Sequence, residues 1–188
     1  CIVIWCGKGG NYYTHGSNKV RNDNNIKKQI EICVDEEKKI KSIKKLLYLR
    51  FNKNFKDIKS VEEVMGIEAN EMKKIYEKYS EEYDVKWNGR KYDYKNWGNN
   101  DDINKAISAA NYCLYGIVHS AIISSGYAPF LGIMHSGKSL SFVYDIADIY
   151  KNRVTIPIAF KVVSKKSKNI SKDIRIEFRK IIKEIKLM

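Results

Sequence analysis

The chain has 188 residues, 44% hydrophobic and 30% charged, and its 35 Lys and Arg against 22 Asp and Glu give a net charge of +13. This balance, with four scattered cysteines and no CxxC pair, is typical of a globular domain with reduced thiols and excludes a disordered chain or a disulfide framework. No run reaches the roughly 20 apolar residues that span a bilayer and no signal peptide opens the chain, so we predict a cytoplasmic protein without a membrane contact.

The first predicted elements are two β-strands. The runs "CIVIWC" and "NYYTHG" flank the glycine turn "GKGG", a pattern typical of a β-hairpin. Because an isolated hairpin is marginal in water, we expect it to be the last hairpin of a β domain whose earlier strands lie outside this chain. The missing initiator Met also indicates a piece of a longer protein. We predict residues 1–16 as this terminal hairpin and the polar residues 17–25 as a linker.

From residue 26 the apolar residues recur with a helical period. An amphipathic stripe predicts helix between Ile26 and Phe51. Ser60, with Glu63 three residues later, is a candidate N-cap for a helix that ends near Tyr83. The apolar positions of the first stripe are Ile26, Ile30, Cys33, Val34, Ile40, Ile43, Leu46, Leu47 and Phe51.

The second half of the chain continues the helical pattern. Small and apolar residues from 101 to 126 predict a buried helix that stops at Gly126, and residues 140–150 predict a shorter buried helix. Basic residues from Lys172 predict a last helix. The fold class is therefore mainly α, with residues 26–188 as a helical domain preceded by a β-hairpin remnant of an N-terminal β domain.

The positive charge is concentrated near the end of the chain. Residues 151–188 hold 12 Lys or Arg and 3 Asp or Glu, a local charge of +9. Such a stripe is typical of a surface that binds polyanions, most often nucleic acid. A solvated lysine-rich face is the alternative interpretation.

Two acids in an apolar and aromatic segment are the first candidates for chemistry. Asp145 and Asp148 stand three residues apart, which places both carboxylates on one face of a helix. In such surroundings a carboxylate has to be solvated, paired or bound to a cation, because its desolvation is costly. The alternative is a narrow solvent-exposed stripe through Ser141, Asp145, Asp148 and Asn152.

Glu68 and His135 complete the candidate cluster. Glu68 falls on the apolar stripe of its helix, where a lone acid indicates a partner or a function, and a core ion pair with a lysine is the alternative. His135 follows a turn that begins at Gly132, where a purely structural histidine is also possible; His15 and His119 are predicted to be structural. Three carboxylates and an imidazole suit Mg²⁺ or Mn²⁺, and zinc is disfavoured without nearby thiolates. Such a site beside basic helices favours phosphodiester chemistry.

Four segments together resemble a known family. "GIEAN" around Glu68, "WNGRKYD" at 87–93, "LYGIVHSAIISSGYAPFLGIMHSGKSLSFVYDIADI" at 114–149 and "IPIAF" at 156–160 are similar to the CRISPR-associated integrase, the endonuclease-type catalytic subunit of spacer acquisition. The segment "HSGKSLSFVYDIAD" resembles the type I-E branch of this family. The resemblance spans nearly the whole chain and implies an N-terminal β domain, largely absent here, followed by a helical catalytic domain.

The resemblance also implies roles for individual residues. It places metal ligands at Glu68, His135 and Asp148, and a fourth acid important for activity at Asp145. Asn11 stands in the predicted hairpin where a basic DNA contact is expected. The implied DNA-backbone contacts are Arg90, Lys138, Lys151, Lys172 and Arg175, and the implied pocket for the protospacer-adjacent motif contains Tyr92, Tyr115 and Tyr144.

The implied reaction is a metal-dependent transesterification in which the 3′-hydroxyl of a double-stranded DNA prespacer attacks the CRISPR repeat. Relatives work as homodimers with a small second CRISPR adaptation protein, so both are expected partners. A different class of function stays open at this point, namely a non-catalytic basic α-helical DNA-binding subunit whose acids only pair with basic residues. The two hypotheses differ in whether Glu68, His135 and Asp148 converge on one cation.

Overall fold

A computed structural model describes residues 3–6, 12–15, 24–55, 58, 60–91 and 101–184. The chain divides into two compact units, one formed by Cys1–Glu68 and Leu114–Ile149 and the other by Ala69–Cys113 and Tyr150–Met188. We call them the first and second unit. The predicted domain boundaries at residues 16 and 25 stay a prediction.

The described residues are mainly helical, as predicted. The two predicted strands pair antiparallel, with Val3 opposite His15 and Cys6 opposite Tyr12. That this pair ends a larger β domain stays a prediction. In chain order the elements are β1 Val3–Cys6, β2 Tyr12–His15, α1 Asn24–Val34, α2 Glu36–Phe51, α3 Val61–Tyr83, α4 Asp102–Ser124, α5 Ser141–Lys151, α6 Thr155–Ser164 and α7 Ile170–Glu184.

The first predicted stripe is two helices rather than one continuous surface. Asp35 adopts extended backbone angles between α1 and α2, and its carboxylate accepts a hydrogen bond from the Lys38 N–H at 3.0 Å, so it caps α2. The stripe also predicted the wrong face of α1 in part. Ile30 and Val34 are exposed, whereas the polar Gln29 is buried. The prediction continues one helical period through the break at Asp35, so it gives α1 the same buried side as α2. For this reason Ile30 and Val34 are wrongly predicted to be buried.

Helix α3 confirms its predicted start and end. The Ser60 hydroxyl accepts a hydrogen bond from the Glu63 N–H at 3.3 Å, which satisfies one of the free N–H groups of the first turn. The helix ends at Tyr83, and Asp84 follows with a left-handed φ of 50°. The capping signal therefore fixes the register that places Glu68 in the third turn.

Helix α4 begins with the carboxylate of Asp101, which accepts the Asn104 N–H at 2.8 Å, and it stops before Gly126, whose φ is 75°. By length and composition alone α4 could cross a membrane, but 44% of its apolar window is buried inside the protein, as in a core helix. Its buried apolar residues are Ile103, Ala106, Ile107, Ala110, Leu114, Val118 and Ile122.

Helix α5 contradicts the alternative in which its polar residues form an exposed stripe. Ser141, Asp145, Asp148 and Asn152 are between 0% and 8% exposed, so this polar line is among the most buried parts of the chain. Buried carboxylates need partners, because desolvation without compensation is costly. The polar line of α5 is thus buried inside the protein and is not a solvent-exposed surface.

In the first unit, a buried glutamine ties α1 to the segment after α4. The Gln29 amide donates to the carbonyl oxygens of Ala128 (2.9 Å) and Leu131 (2.7 Å), and its oxygen accepts the Ala128 N–H at 2.8 Å. The side chain is 2% exposed, and its bonds give partners to the Ala128 N–H and to the carbonyl oxygens of Ala128 and Leu131. Gln29 thereby holds the segment that leads to His135.

The second unit has its own core. Trp87 stacks on Tyr76 with ring centroids 4.3 Å apart, and Phe160 lies 6.1 Å from Trp87. Helix α7 buries one apolar side and exposes a basic one, as its sequence predicts. Glu177 accepts from both Lys161 (2.8 Å) and Lys180 (3.1 Å). The buried residues of α6 and α7 are Thr155, Ile156, Ile158, Ala159, Phe160, Val162, Ile174, Phe178 and Ile182.

The Gln29 bonds lead to a stability prediction. Gln29→Leu should lower the free energy of unfolding by about 3 kcal/mol, roughly 1 kcal/mol for each of three lost bonds to buried backbone groups. Asn25→Ala is the matched control, since Asn25 makes one exposed bond to Ser125 from the same helix, and it should cost under about 1 kcal/mol. Urea unfolding followed by circular dichroism measures both. Equal losses in the two variants would contradict the role given to Gln29.

Candidate functional site

Four predicted site residues lie in the first unit and come from three separate segments. Helix α3 supplies Glu68, the loop between α4 and α5 supplies His135, and α5 supplies Asp145 and Asp148. We call these four residues the acid–imidazole cluster. Each segment is positioned independently, by the Ser60 cap, by Gln29 and by the burial of α5 respectively. Among these residues the structure shows two contacts, one between His135 and Asp145 and one at which Glu68 and Asp148 share the Arg50 guanidinium.

Asp145 organises the His135 loop. Its carboxylate accepts the backbone N–H groups of Ile133 (2.5 Å), Met134 (3.2 Å) and His135 (3.0 Å), and also bonds the His135 Nδ1 at 2.7 Å. The side chain is fully buried. Four contacts use the whole acceptor capacity of a carboxylate. Asp145 is thus placed to support the histidine, and its oxygens are committed to the loop.

The His135 ring is held in one orientation by this contact. With the carboxylate as acceptor, Nδ1 carries the proton and Nε2 is the ring nitrogen that remains for another ligand. The hydrogen bond to Asp145 raises the pKa of His135; burial opposes this shift, and the negative charges of Asp145, Asp148 and Glu68 add to it.

Glu68 and Asp148 meet at the guanidinium of Arg50. The Arg50 Nη1 atom lies 2.5 Å from the Glu68 Oε1 and 3.2 Å from the Asp148 Oδ2. The Arg50 and Asp148 side chains are 5% and 8% exposed, and that of Glu68 is 22% exposed. The alternative interpretation of Glu68 is an ion pair with a lysine. The structure does pair Glu68 with a cation, but the partner is an arginine. Two carboxylates from different helices share one cationic position.

The donor set can be compared with what a divalent cation needs. Two carboxylates and an imidazole whose other nitrogen is held by a carboxylate are the donors that Mg²⁺ and Mn²⁺ accept, and a carboxylate behind a ligating histidine is the usual support. Among the described residues, however, no three His, Cys, Asp or Glu side chains form a ready group for a metal ion. The donor types suit a divalent cation. In this structure the positive charge beside Glu68 and Asp148 is the Arg50 guanidinium.

Sequence reasoning missed Arg50, although a signal for it exists. Arg50 follows Ile43 and Leu47 at helical spacing, and these are the three buried residues of α2. A charged residue on the apolar stripe of α2 is the complement of Glu68 on the stripe of α3, and pairing the two predicts the contact. Gln29 carries no such signal, because it lies off the apolar stripe that was predicted for α1.

The predicted DNA contacts are divided between the units. In the first unit, Lys138 is exposed, with its Nζ 5.9 Å from the ring centre of Tyr144. In the second unit, Lys172 and Arg175 are exposed on α7 and Lys151 is half-buried at the end of α5. The fifth residue, Arg90, donates to the Asn104 side-chain oxygen and the Ser108 hydroxyl, both at 2.7 Å, which ties it to α4.

Two of the three tyrosines predicted for the motif pocket contact each other. The rings of Tyr115 and Tyr144 meet edge to face with centroids 5.1 Å apart, and Tyr144 lies 5.9 Å from the His135 ring. Tyr92 lies outside the described residues. Of the two histidines predicted to be structural, His119 is buried and its burial lowers its pKa, and the side chain of His15 is outside the description.

Comparisons with known proteins give one consistent family. The sequence model described as "CRISPR associated protein Cas1" matches residues 18–178. The chain is 37% identical over 188 residues to the CRISPR-associated endonuclease Cas1 of Escherichia coli K12, and 34% identical over 189 residues to that of Geobacter sulfurreducens. Both alignments cover 100% of the chain and 62% of the relative, so the chain spans less than two thirds of these relatives.

Solved structures agree with the sequence matches. The chain resembles TtCas1 in a complex with DNA at a TM-score of 0.86 and 36% identity, over 100% of this chain and 70% of that one. It resembles TtCas1 determined alone at a TM-score of 0.83 and 34% identity, over 100% of this chain and 71% of that one. The helical arrangement described above is therefore a known one.

The loop that carries His135 yields a prediction about Gly132. A Cβ added there would overlap the carbonyl oxygen of His135 and lie 2.7 Å from the Ser141 Cβ, so the loop or α5 has to shift. Gly132→Ala should lower the free energy of unfolding by about 1–3 kcal/mol, as overpacking does. Gly66→Ala, whose Cβ would meet nothing within 4 Å on α3, should raise it by about 0.5–1 kcal/mol. Urea unfolding measures both, and a harmless Gly132→Ala would contradict the packing described.

Proposed function

The chain belongs to the Cas1 family of CRISPR-associated proteins, and on this premise we propose that it carries the catalytic centre of a metal-dependent DNA endonuclease and integrase. One observation carries the proposal: Glu68 from α3 and Asp148 from α5 converge on a single cationic position, 2.5 and 3.2 Å from the Arg50 Nη1. Two helices that direct carboxylates to one point provide the oxygen ligands that a hard cation requires.

The proposed ligands are Glu68, His135 and Asp148, with Mg²⁺ or Mn²⁺ as the ion. Bound there, the ion supplies charge neutralisation at a phosphate and lowers the pKa of the attacking hydroxyl or water. Asp145 keeps the proton on the His135 Nδ1, so that Nε2 is presented as a neutral donor. Asp145 and Asp148 are buried on α5, and the low dielectric around them strengthens their attraction for a cation.

The proposed reaction joins DNA ends. The 3′-oxygen of a prespacer forms a bond to a phosphorus of the CRISPR repeat, the bond from that phosphorus to the repeat's own 3′-oxygen breaks, and this oxygen takes up a proton. The same centre with water as nucleophile cleaves DNA. Two facts support the choice: relatives are named CRISPR-associated endonucleases, and TtCas1 was solved with DNA. Because this step exchanges one phosphodiester for another, it needs no energy source.

DNA is proposed to contact the basic side chains already predicted for this role. The exposed basic side of α7, with Lys172 and Arg175, would neutralise backbone phosphates without reading bases. Lys138 lies three residues from His135 in the sequence, and Lys151 lies three residues from Asp148. Lys151 and Arg90 complete the proposed set, with Arg90 acting through the loop that it ties to α4. Tyr92, Tyr115 and Tyr144 are the proposed motif pocket.

The whole protein is proposed to act in the cytoplasm as a homodimer with a small second CRISPR adaptation protein. An N-terminal β domain is proposed to end in the paired strands β1 and β2. Residues 26–188 would then be its helical catalytic domain. These assignments rest on family membership, because the chain spans 62% of the relatives to which it was compared.

The contacts of Arg50 with Glu68 and Asp148 are also consistent with a second candidate function, a non-catalytic DNA-binding subunit. A non-catalytic DNA-binding subunit would keep the basic surface of α7 and use Arg50 as a permanent partner of Glu68 and Asp148. The absence of a ready metal-binding group among the described residues supports this candidate. It predicts DNA binding that is indifferent to divalent ions and no cleavage.

Substitution of Glu68 separates the two candidates. With Glu68→Gln, cleavage of linear duplex DNA in Mn²⁺ should fall roughly 100-fold or more, because a charged ligand of the ion is lost. The matched control is Glu71→Gln on the same helix, where the carboxylate pairs with Lys74 at 2.9 Å, and cleavage should stay within about twofold of the unsubstituted chain. No cleavage by the unsubstituted chain, together with DNA binding that is indifferent to Mn²⁺, would favour the binding subunit. Cleavage that persists in EDTA or in Glu68→Gln would contradict the proposed role of Glu68 as a metal ligand.

The salt dependence of DNA affinity tests the basic side of α7. Raising salt from about 50 to 200 mM should weaken duplex binding steeply, and the double variant Lys172→Gln/Arg175→Gln should reduce the slope of log K against log salt by about 2. Lys28→Gln/Lys41→Gln removes the same charge from exposed positions on α1 and α2 and should leave the slope nearly unchanged. Fluorescence anisotropy provides the affinities. Equal slopes for the two double variants would remove α7 from the DNA path.

A further inference from the structure

Arg50 contacts the acids of the site but was not predicted from the sequence, and it is buried although it is charged. It lies in the last turn of α2 and is 6% exposed, in line with the apolar Ile43 and Leu47. An arginine is seldom buried to this extent unless it is paired. A pair buried in this way is seldom more stabilising than apolar residues of the same size, so stability alone does not account for it.

The contacts of Arg50 define what it does in this state. A single nitrogen, Nη1, contacts one oxygen of Glu68 and one of Asp148, and the guanidinium carbon lies 5.0 Å from the ring centre of Phe51. Two carboxylates this close to each other would repel without a cation between them. Arg50 therefore neutralises a pair of acids that three helices, α2, α3 and α5, bring together.

We propose that Arg50 is an internal counter-cation, which holds the Glu68 and Asp148 carboxylates in the metal-free protein and has to leave them for a divalent ion to bind. This inference rests on the proposed function only in taking Glu68 and Asp148 as ligands. Mg²⁺ needs carboxylate oxygens at about 2.0–2.1 Å in near-octahedral order, and a guanidinium between the same oxygens blocks that geometry. The two cations also repel each other, so occupancy by one excludes the other.

Competition of this kind sets the measured affinity for metal. Only molecules in which Arg50 has left the acids can bind the ion, so the apparent dissociation constant is the intrinsic one divided by the fraction of such molecules. If that fraction is about one in ten or lower, apparent binding is weaker by at least about tenfold. Removing the guanidinium should therefore tighten metal binding while it destabilises the metal-free protein, because two buried acids then lack their counter-charge.

The test compares Mn²⁺ binding and thermal stability in Arg50→Gln, Arg50→Lys and the unsubstituted chain. Arg50→Gln should bind Mn²⁺ at least about tenfold more tightly by isothermal titration or electron paramagnetic resonance. Its Tm in EDTA should be lower, and Mn²⁺ should raise that Tm by more than it does in the unsubstituted chain. Arg50→Lys keeps a competing charge, so its affinity should fall between the other two. Arg179→Gln, at an exposed position on α7, should match the unsubstituted chain in both measurements.

The outcomes distinguish this inference from the proposed function. Mn²⁺ binding by the unsubstituted chain together with equal or weaker binding by folded Arg50→Gln would overturn the role of Arg50 and leave the metal site standing. No Mn²⁺ binding by either would overturn both. If Arg50→Gln is unfolded in EDTA, recovery of its helical circular dichroism on addition of Mn²⁺ supports the inference, and no recovery overturns it.

Discussion

The charge balance between Arg50, Glu68 and Asp148 is the constraint on which the candidate site depends. Each residue comes from a different helix of the first unit, and each is placed by local features, namely the Asp35 cap of α2, the Ser60 cap of α3 and the burial of α5. Two acids alone would push their helices apart, and one buried guanidinium alone would be costly. Together they fix the spacing of three helices around one cationic position, which is the geometry that a divalent ion would also need.

His135 is held in place by a second set of contacts, which it makes with Asp145. Asp145 collects three consecutive backbone N–H groups and the His135 ring, so one carboxylate determines both the shape of the loop and the orientation of the imidazole. Gln29 holds the preceding turn from the other side, and Gly132 provides room that a side chain would fill. These polar anchors use every hydrogen bond they can form, and a loop fixed in this way positions a ligand more precisely than its length would suggest.

Much of this could be predicted from the sequence because helical periodicity and capping residues act locally. The start of α3 at Ser60, the stop of α4 at Gly126 and the placement of Glu68 on a buried face all follow from such signals. Partners are a different matter. Periodicity indicates which face of a helix is buried but not which buried charge it meets, so Arg50 was missed although it marks α2 as Glu68 marks α3. The exposure of Ile30 and Val34 has the same origin, since the stripe continued through a break in the helix.

The two candidate functions differ in whether the cation between the acids is permanent. A permanent bridge would serve structure alone, and buried apolar residues provide structure at lower desolvation cost. It would also leave unexplained an imidazole whose Nδ1 is fixed by a buried carboxylate. An exchangeable cation accounts for this imidazole and for Arg50. A site that accepts a divalent ion needs an oriented nitrogen donor beside two carboxylates, and it needs a way to hold those carboxylates together when the ion is absent. The geometry of the first unit therefore favours a metal-dependent centre in which Arg50 stands in for the ion.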